Sequence, residues 1–454
     1  MKKSSWSAWR YLWTSEDIRS KLLITLGLLV IYRIAANIPV PGIDHDALQA
    51  FVSQAGGGTF FQFLDLLSGG TVSTFSLLAM GVYPYITAQI ILQLLIPIIP
   101  RLQRMMEENP TEGRKWMEKW TLILTVPMAI LSAIGQINIF NGLASQMGIG
   151  QIVNFSFTLN TAESLMILTT MVAGTMFAIW LGELISEYGI RNQGLSLIIF
   201  SGIVAGIPSS FGSILGDEQY RLVLVLTMIV TFVAVIYAIV YVQQGRRYVP
   251  VMYPARRIGN RMSMPVKGSF PLLINMAGMI PLIFASAILQ FPAIIASYFT
   301  ASANATVASV ANTVYQWFNG QGTGYWLTYF AMVVVFTFFY TSVLFEQQNY
   351  GENLKKSGAQ IPGVARGAPT QRYLSRVQNR ITFVGALFLG IVAIMPFIIT
   401  SLLSLFGVPT QAGAGLFLTT SAGLLIVVGV VRDTFQTIEA ELKLHGYQDY
   451  NLVR

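Results

Sequence analysis

The chain has no cysteine and only two histidines among its 454 residues. Disulfides, thiolate nucleophiles and cysteine metal sites are therefore excluded. His45 and His445 lie far apart near opposite ends of the sequence, so they read as solvated loop residues and not as a metal pair. No GxxxxGK[ST] phosphate loop occurs, which leaves the chain without a recognisable nucleotide motor. Charge is scarce as well. Charged residues make up 11% against 54% hydrophobic, where an ordinary soluble domain carries about 25% charged. So little polar surface does not cover a globule in water, and a soluble fold is rejected. Nothing in the composition points to a catalytic group, a metal or a cofactor.

What is present is apolar length. A helix needs about 20 mostly apolar residues to cross the hydrocarbon core. Ten stretches meet this, near 22–38, 76–96, 120–137, 162–181, 195–207, 222–242, 271–290, 325–345, 381–402 and 415–431, the fifth being short. The first follows Lys2, Lys3 and Arg10 and so imitates a signal peptide. Arg33 interrupts it, however, and Pro39 and Pro41 stand where a cleavage site is expected, so it is read as a retained span.

The positive charges orient the ten spans. Lys and Arg crowd the N-terminal segment 1–21, the loop carrying Arg101 to Lys119, and two long loops, 243–269 and 346–380. The alternate connections, 39–75, 138–160, 208–220, 291–324 and 403–414, contain no Lys or Arg. By the positive-inside rule, both termini are cytoplasmic. The net charge of +8 is then mostly an orientation signal that also contacts anionic lipid, and not a nucleic-acid footprint. Five and five is the natural division. It gives a first half over 22–207, a hinge loop at 208–221, a second half over 222–431 and a tail from 432 to 454. Inverted halves of this kind occur in transporters as well as channels.

Ion-coupled transporters bury carboxylates, histidines or basic groups at membrane depth, where they are costly unless used. These spans hold almost none; Arg33 is the exception, read as a helix-end arginine paired with a neighbour or reaching outward. A secondary transporter of small solutes is thereby disfavoured, and an insertase or scaffold without a continuous pore is the other alternative. Residues 60–70 form an apolar segment too short to cross, with Gly56, Gly57 and Gly58 before it and Gly69 and Gly70 at its end. It suits a re-entrant or interfacial helix on cheap hinges. Gly202 to Gly206 is a GxxxG element that permits close helix approach. Pro84, Pro127, Pro281 and Pro396 fall within apparent spans, where each favours a kink.

Several of these segments carry a family resemblance. Ile38 to Asp44 (IPVPGID), Pro84 to Ala88 (PYITA), Phe200 to Gly206 (FSGIVAG), Asn275 to Pro281 (NMAGMIP) and Glu352 to Gly358 (ENLKKSG) with Ile361-Pro362-Gly363 are similar to segments of the SecY family, in family order and across nearly the whole chain. There are departures. Arg366 is displaced by one position within Pro362 to Gly367, Leu273 stands where the family commonly has lysine, and the turn Arg191 to Gly194 before the fifth span reads differently.

The resemblance implies an all-α integral membrane protein of ten transmembrane helices. They form two inverted five-helix halves around a central pore, with a short plug helix. It implies a passive protein-conducting channel and not an enzyme, closed midway by an aliphatic ring at Val82, Ile86, Leu195, Ile199, Ile283 and Ile426. Within it, Val82/Ile86 and Leu195/Ile199 are i,i+4 pairs that each share a helix face. The plug falls on Phe60, Phe61, Phe63, Leu64, Leu66, Leu67, Gly69 and Gly70. A lateral gate opens between the second and third spans and the seventh and eighth, with Thr87, Gln93 and Asn275 as polar groups holding it shut. Arg246, Arg247, Arg256, Arg257, Arg261, Lys355, Lys356 and Arg366 become the docking surface for the SecA ATPase motor and the ribosome. Further implied partners are the small subunits SecE and SecG, signal-sequence-bearing polypeptides and anionic lipids, in the bacterial plasma membrane.

Overall fold

A computed structural model describes residues 16–44, 46–48, 50, 75–146, 148, 152–155, 160–191, 193–216, 221–253, 257–258, 261–262, 266–299, 304–318, 322–405 and 410–444. The expected plug, 60–70, lies outside the described residues, as do His45 and His445.

Among the described residues, helices stand at all ten expected spans. They are α1 (Glu16–Ala35), α2 (Tyr83–Ile98), α4 (Pro110–Gln146), α5 (Thr161–Tyr188), α6 (Gly194–Gly216), α7 (Arg221–Gln244), α8 (Ile280–Phe299), α10 (Thr323–Gln347), α12 (Ala368–Leu405) and α13 (Thr410–Leu444). Three shorter helices lie between them: α3 (Pro100–Glu108), α9 (Ala305–Phe318) and α11 (Tyr350–Lys356). The segments in α4, α5, α7, α10 and α12 are each long and apolar enough to cross a membrane unaided. A sixth such span arises if α2 and α3, bent by 100° at Ile99, are taken together. Large apolar side chains cover the outer faces, as on α7, where Leu222, Leu226, Val230, Val233 and Tyr237 are all more than half exposed. A soluble monomer rarely leaves so broad an apolar face in water; a bilayer solvates it.

Two expected boundaries move, for one reason. The second span starts at Tyr83 instead of 76, and the seventh at Ile280 instead of 271. Pro84 and Pro281 therefore sit in the first turn of α2 and α8, where a missing N–H costs nothing, and do not kink a helix interior. Pro127 does lie inside α4. The irregular backbone before α2 is satisfied by a strand-like pairing with residues 38–40: Leu77 N–H donates to the Ile38 carbonyl (2.8 Å) and Val40 N–H to that of Phe75 (3.2 Å). Before α8, residues 266–273 are a strand and not helix. β1 (Arg246–Tyr253) and β4 (Val266–Leu273) form an antiparallel hairpin, with the short pair β2 (Arg257–Ile258) and β3 (Arg261–Met262) between them. The loop 243–269 is thus mostly ordered sheet.

The two five-helix halves each have their own core. In the first, α4 (Ala129, Ala133, Ile137, Phe140) packs on α5 (Ile167, Met171) and on Phe75 and Met80. In the second, α10 (Tyr325, Tyr329, Val333) packs on α12 (Leu389, Val392), α8 and α7. The halves meet along two seams. At one, α6 lies against α13 and α7; at the other, α8 lies against α4 and α2. Arg33 ties α1 to α6, its guanidinium donating to the Ser201 (2.9 Å) and Gly202 (3.1 Å) carbonyls.

A close helix approach also occurs at a glycine outside the GxxxG element. Gly206 faces open space, with nothing within 4 Å of a Cβ built on it, whereas a Cβ at Gly194 would run into the Gly182 carbonyl where α6 begins against α5. Gly194→Ala should lower stability by about 1–3 kcal/mol, as overpacking does. Gly206→Ala should leave the detergent-solubilised melting temperature unchanged or slightly raised. Equal melting temperatures for the two variants would remove the contact from the account.

Candidate functional site

The helices bring most of the predicted constriction to one place. Val82 at the start of α2, Ile199 on α6 and Ile426 on α13 belong to a single buried apolar cluster, and Ile86 and Leu195 pack against it. Ile283 on α8 is buried too but lies outside that cluster. The cluster draws on both halves: Tyr32, Ala178, Leu181 and Ile203 come from the first, Val430 and Ile426 from the second. Such a constriction offers no hydrogen bond to water or ions and blocks them by dewetting.

Beside it, a separate cluster closes the seam expected to be a gate. Tyr83, Ile86, Ile90 and Leu94 of α2 meet Ala277, Ile280 and Phe284 at α8 and Phe336, Tyr340 and Leu344 of α10. The Phe284 ring is edge-on to Tyr340 at 5.6 Å and to Phe336 at 6.3 Å, pairings worth about 0.5–1.5 kcal/mol each. These aromatics were missed from sequence. Their signal was available, since Phe336 and Tyr340 are an i,i+4 pair like those of the ring.

Among the described residues, Thr87 and Asn275 bond their own backbone and not across the seam. The Thr87 hydroxyl donates to the Pro84 carbonyl (2.9 Å) of its own helix. Asn275 turns back on its own segment, its Oδ1 accepting from Gly278 N–H (3.0 Å) and its Nδ2 donating to the Gly278 carbonyl (3.1 Å). Asn275 thereby fixes the turn that starts α8, with Gly278 at φ +63°. Gln93 Oε1 is buried with no hydrogen-bond partner among the described residues. Short polar side chains bond their own backbone more cheaply than they reach across a seam.

The two long basic loops form one unit. Met252 and Gln360 exchange backbone hydrogen bonds of 2.8 and 2.9 Å, and Val249, Val251 and Leu272 of the hairpin pack on Phe345, Leu354, Ile361 and Leu374. Phe270 and Phe345 hold Tyr350 between them at 5.1 and 5.0 Å, and burial raises its phenol pKa. Arg246, Arg247, Lys355, Lys356 and Arg366 are exposed on this unit, Lys356 pairing with Glu352 at 3.6 Å. Arg257 and Arg261 lie on β2 and β3, opposite Met262 and Ile258. Arg256 lies outside the described residues.

The SecY family model matches residues 76–435, which run from the turn before α2 to deep in α13. The chain belongs to the SecY family. It is similar to the protein translocase subunit SecY of Aquifex aeolicus, at 38% identity over 440 residues that cover 96% of this chain and 97% of the relative. The corresponding subunit of Chlamydia trachomatis is 36% identical over 461 residues, with 96% of each chain covered. Among solved structures, a protein-conducting channel superposes with a TM-score of 0.57 at 18% identity, covering 93% of this chain and 94% of the other. An idle yeast complex bound to the yeast 80S ribosome follows with a TM-score of 0.53 at 16% identity, covering 89% and 88%. These two support the fold. The chain is a multi-pass membrane protein of the family's channel architecture.

Two expectations follow from the geometry. Asparagine at both Ile199 and Ile426 should wet the constriction and raise the ion conductance of the idle protein several-fold in planar bilayers, whereas leucine at both should not; unchanged conductance would take these residues out of the seal. Gln93→Leu removes an unpaired buried acceptor and should raise thermal stability by about 1–3 kcal/mol; a fall in melting temperature would mean the amide is satisfied in the membrane.

Proposed function

We propose that this chain is the pore-forming subunit of a protein translocase in the bacterial plasma membrane. It passes unfolded polypeptides through the constriction and releases apolar segments sideways into lipid. The observation that carries this reading is a buried apolar cluster built from both halves and sharing Ile86 with the seam between α2, α8 and α10. The high identity to protein translocase subunits supports a polypeptide as cargo. Flexible aliphatic side chains rearrange around a passing chain of any sequence, whereas a small-solute transporter needs fixed polar groups at the midplane.

In this reading the protein makes and breaks no covalent bond, and a SecA-type ATPase or a translating ribosome supplies the energy. The joined basic loops are the docking platform. The likeness to a yeast complex bound to a ribosome supports a polyanionic partner there, to which cationic loops gain affinity by counterion release. Both termini are cytoplasmic, as the charge alternation requires. SecE and SecG are the expected small subunits and 60–70 the plug; of the hinge loop expected at 208–221, residues 208–216 are instead the end of α6 and Arg221 begins α7.

The cysteine-free sequence permits a direct test. A single cysteine at Ile86 should form a disulfide with a cysteine placed midway in a stalled, signal-bearing precursor, and only with ATP and the signal present. A protease-protected precursor that never reacts at Ile86 or at the other five ring positions would refute the ring assignment. If no precursor is protected under working conditions, transport of a small solute becomes the reading to pursue.

A further inference from the structure

Among the described residues, none of α9 (Ala305–Phe318) belongs to the constriction cluster, the seam cluster or the packed basic loops. Its 14 residues are too few to cross a bilayer, and none of them is charged. At about 100° per residue they divide into three sectors. Ala311, Tyr315 and Phe318 form the first, which faces the protein: α9 packs along α8, Ala311 is buried and Phe318 joins the core of the second half. Ser309, Asn312, Thr313 and Gln316 form the second, which is polar and exposed. Val307, Val310, Val314 and Trp317 form the third. It is apolar yet uncovered, with Val307, Val310 and Trp317 exposed by 41%, 65% and 55%.

The third sector continues apolar surface of the neighbouring spans. A Cβ built on Gly324, in the first turn of α10, would lie 2.8 Å from the Trp317 ring, and Leu327, one turn further along α10, is 72% exposed. On the other side of α9, Ile295 and Phe299 near the end of α8 are at least half exposed. A connection lying wholly in water has no use for apolar residues at i, i+3, i+7 and i+10 beside a polar face. A bilayer surface accommodates both faces of a helix that lies flat on it. The apolar sector sinks to the boundary between headgroups and chains, the polar sector meets water, and tryptophan is favoured at that depth. With no Lys or Arg, the helix gains nothing from anionic headgroups, so apolar burial alone would hold it there.

We propose that α9 lies flat in the outer interface of the bilayer, with Val307, Val310 and Trp317 among the lipid chains, and so ties the outer ends of α8 and α10 to the membrane surface. The inference rests on the membrane placement and orientation within the proposed function, in which the loop 291–324 is non-cytoplasmic, and not on what the pore conducts. α8 and α10 supply Phe284, Phe336 and Tyr340 to the seam against α2, so the anchor sits on the second half's side of that seam.

The test uses the full-length protein with a single added cysteine, Val310→Cys or Asn312→Cys, labelled with bimane and reconstituted in phosphatidylcholine vesicles. Both positions are exposed, so both variants should keep the melting temperature of the parent. Phosphatidylcholine brominated high on its acyl chains should quench the label at 310 at least about threefold more than the label at 312, because an interfacial helix buries its apolar face about 5–10 Å deep and leaves its polar face in water. Iodide in the buffer should quench in the reverse order. Equal lipid quenching at the two positions, or iodide reaching both alike, puts the sector in water and overturns the proposal. A label at 310 shielded from both quenchers overturns it too, and assigns the sector to another protein or to a second copy of this chain. The readout needs no transport, so a failure here leaves the Ile86 disulfide test standing, and the reverse holds as well.

Discussion

Hydrocarbon offers no hydrogen-bond partner to a peptide group, so within the bilayer each backbone N–H and C=O must be satisfied by the protein itself. That constraint explains the ten helices, and it also explains where the backbone is allowed to be irregular. The segments before α2 and α8 are non-helical, and each is buried in protein. One is paired to residues 38–40, the other is closed by the Asn275 side chain. Each leads to a proline in the first helical turn, Pro84 or Pro281. These are the second helices of the two halves, so the same device appears once in each. It gives the proposed gate helices short, well-defined starting points in the middle of a bundle made otherwise of long rods.

The two seams between the halves are built differently, and the difference bears on which one opens. At the α6–α13 seam, Ile199, Ile203, Ile426 and Val430 belong to one cluster with Tyr32, Ala178 and Leu181, so separating the halves there would split a continuous core. At the α2–α8 seam the cluster is a small one of its own, with an aromatic trio at its centre and, on the same helix as its α2 members, a Gln93 Oε1 that has no partner among the described residues. Parting it costs fewer packed contacts. Ile86 touches both clusters. In the proposed channel, a movement of α2 away from α8 would carry Ile86 with it and so couple a sideways opening to a loosening of the other cluster.

Hydropathy and charge made the ten helices legible because the bilayer imposes both signals along the whole chain. The misreadings fall where local chemistry competes with hydropathy. Residues 271–273 are apolar and were assigned to a span, yet they pair with Arg246 to Tyr248 in a hairpin. The alternation of buried Val249 and Val251 with exposed neighbours was a period-two signal obscured by the surrounding arginines. Pro84 and Pro281 were read as kinks because sequence does not place a helix start to within a turn, whereas Pro127 does lie inside α4. Thr87 and Asn275 were placed at the gate, but their preference for their own backbone was the better guide to their bonds. Of the Gly202–Gly206 pair, Gly206 faces open space, while a close approach lies at Gly194, where no pattern marks it.

Arg33 shows how the channel reading and the fold bear on each other. It is the basic residue within a span that, from sequence, left room for ion coupling. In the structure its guanidinium donates to two consecutive carbonyls of α6, in the stretch between Ile199 and Ile203 of the constriction cluster. It positions α6 against α1 and hence the aliphatic face that α6 presents. The charge that would have argued for a coupled transporter instead positions the helix that carries Ile199 and Ile203 of the buried apolar cluster. In the proposed channel that cluster would act as a seal selective by wetting and size, which suits a conduit for chains of every sequence and gives a small solute nothing to bind.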